Sequence, residues 1–201
     1  MKRGIRGLHL TFLFMMSLIF PVNAIAGAPL ESIQGQVNKV LDVLRDPALK
    51  AESAKEAKEE KIWAIADDIF DYTELSKRTL SRNWKKLNAN QQKEFIDLFS
   101  KLLGGLYMDK IMAYTDEKVV FEKEGMLSEN RAEVQSKVIT SSAEIPIHYR
   151  LIMKNDGWKV YDVIIESVSL IKNYRSQFRD ILSKKSPEDL LEILRKKVGE
   201  A

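Results

Sequence analysis

The side chains that most often carry catalysis are scarce in this sequence. It has no cysteine and two histidines, and only His148 lies beyond the first 26 residues. A metal site would therefore have to be built mainly from carboxylates, and the acidic cluster worth naming is Asp67, Asp68 and Asp71. Those three acids look like an ordinary helix end. Gly-rich phosphate loops, nucleophile elbows and dinucleotide fingerprints are absent from the sequence, so we expect no metal and no cofactor.

Asp162 is the most interesting acid, because it lies inside the apolar run of residues 158–165. An isolated buried carboxylate can act as a general base in an enzyme. A hydrogen-bonded structural acid explains the residue equally well. A small enzyme on a helix-plus-curved-sheet fold therefore stays as an alternative to a binding protein.

Strict alternation divides the apolar residues around Asp162 between two faces of a strand. One face carries Trp158, Val160 and Ile164, and the other carries Tyr161, Val163 and Ile165. Because both faces are apolar, we expect this strand to be covered on both sides and to lie centrally in a sheet. The preceding residues, Asn155-Asp156-Gly157, are a turn signal that predicts an antiparallel hairpin.

The chain divides into a helical half and a strand-rich half. Residues 30–114 have a helical hydrophobic period, and a first helix is predicted at residues 32–45. The longest helix follows Asn88, which is expected to form a capping box with Gln91. Gly104-Gly105 interrupt its apolar stripe, so either the helix bends there or a neighbour packs very close to its backbone.

Strand-type alternation begins near residue 118 and is clearest at residues 144–154. A helical period returns after residue 171, and Ser186-Pro187 predict the start of a final helix. The fold class is therefore α+β, with N-terminal helices, a curved antiparallel sheet of about four or five strands and closing C-terminal helices. Long helices laid across a curved sheet tend to leave a hollow, so we expect these elements to enclose an apolar cavity.

The first residues have the layout of a secretory signal peptide. Three cations precede an apolar run from about Leu8 to Val22, and Ala24-Ile25-Ala26 follows. The run is broken by polar residues and is shorter than the roughly 20 residues that a membrane-spanning helix needs. We predict that residues 1–26 are a signal peptide, cleaved after Ala26. Residues 27–201 would then form one soluble domain, in the periplasm if the host has two membranes.

The charge balance argues against a nucleic-acid partner. The chain has 32 Lys and Arg residues against 29 Asp and Glu residues, a formal net charge of +3. The three leader cations, Lys2, Arg3 and Arg6, account for this excess. The processed chain would be formally neutral, without the basic surplus expected of a protein that binds nucleic acid.

Two long stretches of the sequence resemble motifs of one protein family. GWKVYDVIIESVSLIKNYRSQF, residues 157–178, is similar to the signature of the MlaC or toluene-tolerance family. Residues 80–114 are similar to the helical motif of the same family, with these residues at matching spacing: Trp84, Leu87, Gln91, Phe95, Phe99, Leu102, Leu103, Tyr107 and Tyr114. The sequence departs from the family pattern at Ser167, where Gly is usual. If that position needs a positive φ, the serine adds local strain.

The resemblance implies a soluble periplasmic shuttle that binds phospholipid and supports the lipid asymmetry of the outer membrane. Its implied partners are phospholipid as cargo, an inner-membrane ABC transporter complex with substrate-binding domains, and an outer-membrane lipoprotein complex. A branch of the family is associated with hopanoid lipids, so a carrier of another apolar lipid is an alternative. The resemblance implies no cofactor other than the bound cargo.

On this interpretation, the inward faces of the sheet and of the longest helix form the wall of a lipid cavity. The residues predicted to bind lipid are Phe99, Leu103, Tyr107, Tyr149, Leu151, Val163, Ile165, Val168 and Leu170. The alternative is that they are core residues, because alternation does not separate a core from a pocket wall. Arg175, near the start of a closing helix laid across the opening, is the candidate for contact with a headgroup phosphate. A structural ion pair is the alternative for Arg175.

Overall fold

The computed structural model describes residues 28–114, 116–155 and 157–199. These residues form six α-helices and one five-stranded antiparallel sheet, so the predicted α+β fold is confirmed. The predicted signal peptide at residues 1–26 lies outside the described residues. In the part of the chain that is described, no helix is both long enough and apolar enough to cross a membrane.

Four helices precede the sheet. They are α1 (Ala28–Arg45), α2 (Lys55–Ile69), α3 (Tyr72–Leu80) and α4 (Ala89–Met112), with short 3₁₀ turns at Pro47–Leu49, Glu52–Ala54 and Ser81–Lys86. α1 begins earlier than predicted and ends at Arg45 as predicted, since Pro47 opens the next turn. The capping box before α4 is confirmed: Asn88 and Gln91 each accept the other's backbone N–H, at 3.0 and 3.1 Å.

The five strands form a meander in which each strand pairs with the next one along the chain. They are β1 (Lys118–Ser128), β2 (Arg131–Ile139), β3 (Glu144–Lys154), β4 (Gly157–Ile165) and β5 (Val168–Ser169). The predicted hairpin between β3 and β4 is confirmed, because Lys154 pairs with Gly157. Asp156, in the turn of that hairpin, lies outside the described residues.

A bulge in β4 changes which of its residues share a face. Leu151 of β3 pairs with Val160, and Arg150 pairs with Asp162, so Tyr161 is an extra residue in the ladder. The strict alternation expected from the sequence is therefore wrong beyond Val160. Residues from both sides of the bulge pack in one cluster: Trp158, Val160, Val163 and Ile165. Tyr161 packs in a different cluster.

Two helices follow the sheet, α5 (Leu170–Leu182) and α6 (Pro187–Gly199). α5 packs mainly on α3, and α6 packs mainly on α4. With these partners they bury an aromatic group whose ring centroids lie between 5.0 and 5.6 Å apart: Phe95, Phe99, Tyr174 and Phe178. This cluster also holds Ile152 and Tyr161 from the sheet.

A second buried cluster joins the helices of the first half to the sheet. It contains Ile33 of α1, Ile69 of α2, Val134 of β2, Leu151 of β3 and the β4 residues on either side of the bulge. Phe70 and Tyr107 pack against both clusters. α4, which carries Tyr107, therefore touches both clusters.

Candidate functional site

An apolar pocket of about 470 Å³ lies between α1, α2 and α4 on one side and the sheet on the other. The helical wall includes Val37, Val40, Leu41 and Leu44 of α1, with Ile62, Trp63 and Ala66 of α2. The strands contribute Val119, Val138, Ile145, Ile147, Tyr149, Val163 and Ile165. The pocket is partly open to solvent, so a fully enclosed cavity stays a prediction.

The pocket opens toward the end of the sheet where β1 begins and β2 ends. Burial along β2 falls toward this end, from Val134, which is fully buried, to Val138 and Thr140, which are half-buried. Four polar lining residues lie there: Lys110, Tyr114, Glu117 and Thr140. An apolar interior with a polar rim is an arrangement that suits an amphiphilic ligand.

Tyr114 connects two elements at this rim. Its hydroxyl accepts a hydrogen bond from Nε of Arg45 at 3.1 Å and donates one to the carbonyl oxygen of Glu117 at 2.8 Å. The Arg45 guanidinium carbon also lies 5.5 Å from the centre of the Tyr114 ring. Because Arg45 ends α1 and Glu117 precedes β1, this network ties the C-terminal end of α1 to the connection between α4 and β1.

Tyr149 is a polar side chain set further into the pocket. Burial raises the pKa of its phenol to about 12, against the opposing effect of a hydrogen bond with Ser136. The Ser136 hydroxyl also donates to the carbonyl oxygen of Ile147 at 2.8 Å. The phenol is therefore neutral at physiological pH. Of the described lining residues, only Lys110 and Glu117 carry a formal charge, and both lie at the rim.

Gly104 allows α2 to approach α4 closely. A Cβ built at Gly104 would lie 1.7 Å from Cη2 of Trp63, so the indole occupies the space that any larger residue would need. This contact explains one of the two glycines in the apolar stripe of α4. Of the two explanations expected for the pair, close packing of a neighbour is the one observed at Gly104. The Trp63 ring in turn forms part of the pocket wall.

Six of the nine residues predicted to bind lipid line this pocket: Leu103, Tyr107, Tyr149, Val163, Ile165 and Leu170. The other three do not. Phe99 is buried in the aromatic cluster, and Leu151 is fully buried where it pairs with Val160. Val168 is 55% exposed on β5. Hydrophobic alternation assigns an apolar residue to one face of a strand. It does not show whether that residue lies in the core, at an exposed edge or in the wall of the pocket.

Arg175 does not line the pocket. Its Nε and Nη2 donate to the carbonyl oxygen of Arg78, at 3.0 and 2.7 Å. Arg78 lies in the last turn of α3, where carbonyl groups have no partner within the helix. Arg175 thus caps α3, a structural role that differs from the ion pair considered from the sequence. Tyr174 and Phe178 are likewise buried against α4, so α5 does not lie across the opening.

Several residues of the pocket were not predicted from the sequence. The sequence predicted a helix at residues 32–45 without a role in the site, and Val40, Leu41 and Leu44 of this helix are half-buried and line the pocket. Lys110 and Tyr114 form part of the rim. A signal was available for Tyr114, which belongs to the helical motif shared with the family. For α1, the apolar stripe is the same for a helix over a core and for a helix over a pocket.

Asp162 has a structural role. Its side chain is 2% exposed, and it accepts hydrogen bonds from the Ser169 hydroxyl at 2.7 Å and from the Ile171 N–H at 3.1 Å. Ser169 in turn accepts the N–H of Lys172 as the N-cap of α5. The carboxylate therefore anchors the start of α5 and is not among the residues that line the apolar pocket.

Asp71 and His148, the other residues considered for chemistry, also contact neighbouring groups of the protein. Asp71 caps α3 by accepting the Glu74 N–H and forms an ion pair with Lys154 at 2.9 Å. That pair lies in a second cleft of about 570 Å³, which is more open to solvent than the apolar pocket. His148 Nδ1 lies 3.9 Å from Glu133. Across residues 28–114, 116–155 and 157–199, no group of three or more acidic or histidine side chains could hold a metal ion.

The sequence is similar to those of two curated proteins. The chain is 24% identical over 135 residues to the intermembrane phospholipid transport system binding protein MlaC of Haemophilus influenzae, and the alignment covers 63% of each protein, slightly under two thirds. It is 23% identical over 175 residues to the toluene tolerance protein ttg2D of Pseudomonas putida, covering 86% of this chain and 81% of that protein.

A solved structure has the same fold. It is the phospholipid-binding protein of Ralstonia solanacearum in complex with a phospholipid, with a TM-score of 0.75 and 23% sequence identity. The superposition covers 86% of this chain and 97% of that chain. The model of the MlaC protein family matches residues 34–196, which include most of the helices and the whole sheet. The chain therefore belongs to the MlaC protein family.

Proposed function

We propose that this protein binds phospholipid by its acyl tails in the pocket between α1, α2, α4 and the sheet. The observation that carries the proposal is the arrangement of the pocket, whose wall is mainly apolar and whose charged lining residues, Lys110 and Glu117, lie at the open end. A lipid bound with its tails inward would keep its headgroup at the rim, in contact with water. Two relatives named for phospholipid transport and toluene tolerance, and a relative solved with phospholipid bound, support this assignment.

The energetics favour such a carrier. A phospholipid with two long tails exposes on the order of 30 methylene groups, and at about 0.8 kcal/mol each their transfer into water costs roughly 24 kcal/mol. A dry apolar pocket offsets most of that cost. Because a bilayer and the pocket are both apolar, net transfer between them is close to neutral. The direction of transport would then be determined by partner proteins and by ATP hydrolysis outside this chain.

The pocket volume limits what fits without rearrangement. A methylene takes up about as much volume as a water molecule in the liquid, roughly 30 Å³. The 470 Å³ pocket therefore corresponds to about 16 methylenes, or one long acyl chain. A two-tailed lipid would have to extend through the open end of the pocket or displace part of the helical wall. α1 and α2 each have two buried residues, but none lies in the C-terminal half of α1, so this half is the part of the wall expected to move.

We propose further that the protein works in the periplasm as a shuttle. After removal of the signal peptide it would exchange lipid with an outer-membrane lipoprotein complex and with an inner-membrane ABC transporter complex, and so support outer-membrane lipid asymmetry. The name of the Haemophilus influenzae relative, an intermembrane phospholipid transport binding protein, supports this role.

The cargo can be identified directly. The protein would be expressed with its leader, purified from the periplasm without detergent and extracted with organic solvent for mass spectrometry. We expect about one phospholipid for each protein chain. Recovery of hopanoids in that amount would favour the alternative cargo. Repeated preparations that are folded but contain no lipid would contradict the proposal.

A pair of variants tests the location of the cargo. Leu41 faces the pocket from α1 and is half-buried, whereas Val168 is 55% exposed outside the pocket. Leu41→Glu should remove most of the co-purified lipid, because an unpaired carboxylate in a dry apolar site is costly. Val168→Glu is the matched control and should retain it. Equal lipid contents in the two variants, with both folded by circular dichroism, would place the cargo elsewhere.

A further inference from the structure

The charged residues of the pocket lie at its rim, and they differ in what they contact. Among the described residues that line the pocket, Lys110 is the sole cation and Glu117 the sole anion. Glu117 accepts a hydrogen bond from Tyr114 at its carbonyl oxygen and takes part in further interactions. Asp109 and Asp116 are close in sequence, but both are exposed and neither lines the pocket.

The charged group of Lys110 is held only weakly by the rest of the protein. Its ammonium lies 5.7 Å from the centre of the Tyr107 ring, which lines the pocket beside it. In the described part of the chain it forms no ion pair, in contrast to Lys101 on the same helix, which contacts Asp97 at 2.9 Å. The Lys110 side chain is exposed, so its long stem can turn toward a ligand at the rim without breaking an ion pair, and it would weaken only the contact with the Tyr107 ring.

A cation in the last turn of α4 has an ordinary explanation, because the C-terminal end of a helix favours positive charge. That effect accounts for a lysine near the end of the helix. It does not account for a lysine on the pocket wall, next to the Tyr107 ring and at the end where a headgroup would lie. The two explanations make different predictions, because the helix effect does not depend on the lipid.

We propose that Lys110 contacts the phosphate of the bound lipid and gives the pocket a preference for lipids with a net negative headgroup over zwitterionic ones. The inference rests on the proposed function, since it requires acyl tails in the pocket. In a zwitterionic lipid the headgroup's own ammonium lies close to the phosphate and weakens its attraction to Lys110. An anionic headgroup lacks that compensation, so the contact with Lys110 is stronger.

The preference can be measured as a ratio. Delipidated protein would be titrated with phosphatidylglycerol and with phosphatidylcholine that carry the same fluorescent acyl chain, at about 50 mM salt, where exposed charges are weakly screened. The wild type should bind phosphatidylglycerol more tightly. The Kd for phosphatidylcholine divided by the Kd for phosphatidylglycerol measures the preference. This ratio should fall about threefold in Lys110→Gln, where an exposed ion pair is lost, and about tenfold in Lys110→Glu, where its charge is reversed. Lys110→Arg should keep the preference.

Lys93→Glu is the matched control, because Lys93 is an exposed lysine of the same helix that does not line the pocket. It makes the same change in net charge and should leave the ratio as in the wild type. An equal fall in both glutamate variants, or no fall in Lys110→Glu, would overturn the inference while leaving the proposed function intact. Failure of the wild type to bind either lipid would instead contradict the proposed function.

Discussion

Ser167 occupies a backbone conformation that favours glycine. Ile165 pairs with Val168, so Glu166 and Ser167 are the two central residues of the hairpin between β4 and β5. Their φ angles are +48° and +71°, as in a type I′ turn, which requires positive φ at both central positions. A side chain in this region costs roughly 1 kcal/mol, because Cβ approaches the following carbonyl oxygen. The chain retains the turn, which leads directly into Ser169, the N-cap of α5.

Replacement of Ser167 by glycine should therefore stabilise the protein. We expect Ser167→Gly to raise the free energy of unfolding by about 0.5–1 kcal/mol, since relief of the strained φ outweighs the added entropy of the unfolded chain. Urea denaturation measures the change. Ser142→Gly, in an exposed bend between β2 and β3, is the control and should be neutral or destabilising. A lower stability for Ser167→Gly than for the wild type would show that the serine is not strained.

At the scale of elements, the contact between α2 and α4 depends on Gly104. Helix propensity alone predicts that alanine at this position would gain about 1 kcal/mol. The steric effect opposes it, because the added methyl would fall 1.7 Å from Cη2 of Trp63. The cost of the clash is expected to exceed the gain in helix propensity. The rigid indole must move as a whole, and overpacking of this kind typically costs about 1–3 kcal/mol.

We therefore expect Gly104→Ala to destabilise the protein despite its helix propensity. Trp63→Leu should also destabilise it in the wild-type background, because apolar contacts are lost. In the Gly104→Ala background, however, Trp63→Leu should restore part of the stability. Urea denaturation of the four proteins gives the coupling free energy, expected at about 1–2 kcal/mol. Additive effects of the two substitutions would mean that Trp63 moves freely away from α4.

The elements themselves were largely predictable from the sequence, because their signals are local. The capping box at Asn88 and Gln91 and the β3–β4 hairpin follow from residue types a few positions apart. The bulge at Tyr161 was not predictable, because it depends on how β4 pairs with β3. The sequence showed apolar residues at both odd and even positions of β4, which a regular strand covered on both faces explains as well as a bulge does.

The site was less predictable than the fold, since it depends on contacts between distant parts of the chain. Phe99 and Leu103 belong to the same apolar stripe of α4, yet Phe99 meets α5 and Leu103 meets the pocket. Which of the two is a wall residue depends on α1, which ends 54 positions before Phe99, and on the sheet, which begins 15 positions after Leu103. Arg175 was assigned to a headgroup because the path of α5 could not be derived.

At the scale of the whole molecule, α1 is anchored at one end and tethered at the other. Near its N-terminus, Pro29 is fully buried and Ile33 packs with residues of the sheet. Its C-terminal half covers the pocket with half-buried residues, and Arg45 is held by the Tyr114 hydroxyl. The pocket volume is of the order of one acyl chain, so we expect this half of α1 to move outward when a second chain enters. The contact between Arg45 and Tyr114 must then break or shift.

Tyr114→Phe tests whether this tether controls exchange of lipid. The substitution removes the acceptor for Arg45 and the donor to Glu117 while keeping the aromatic ring in the pocket wall. Loss of hydrogen bonds worth about 1 kcal/mol should speed transfer of a fluorescent phospholipid between vesicles by about fivefold. Tyr161→Phe, in the other apolar cluster, is the control and should leave the transfer rate unchanged. If Tyr114→Phe transfers lipid at the wild-type rate, opening of α1 does not limit exchange.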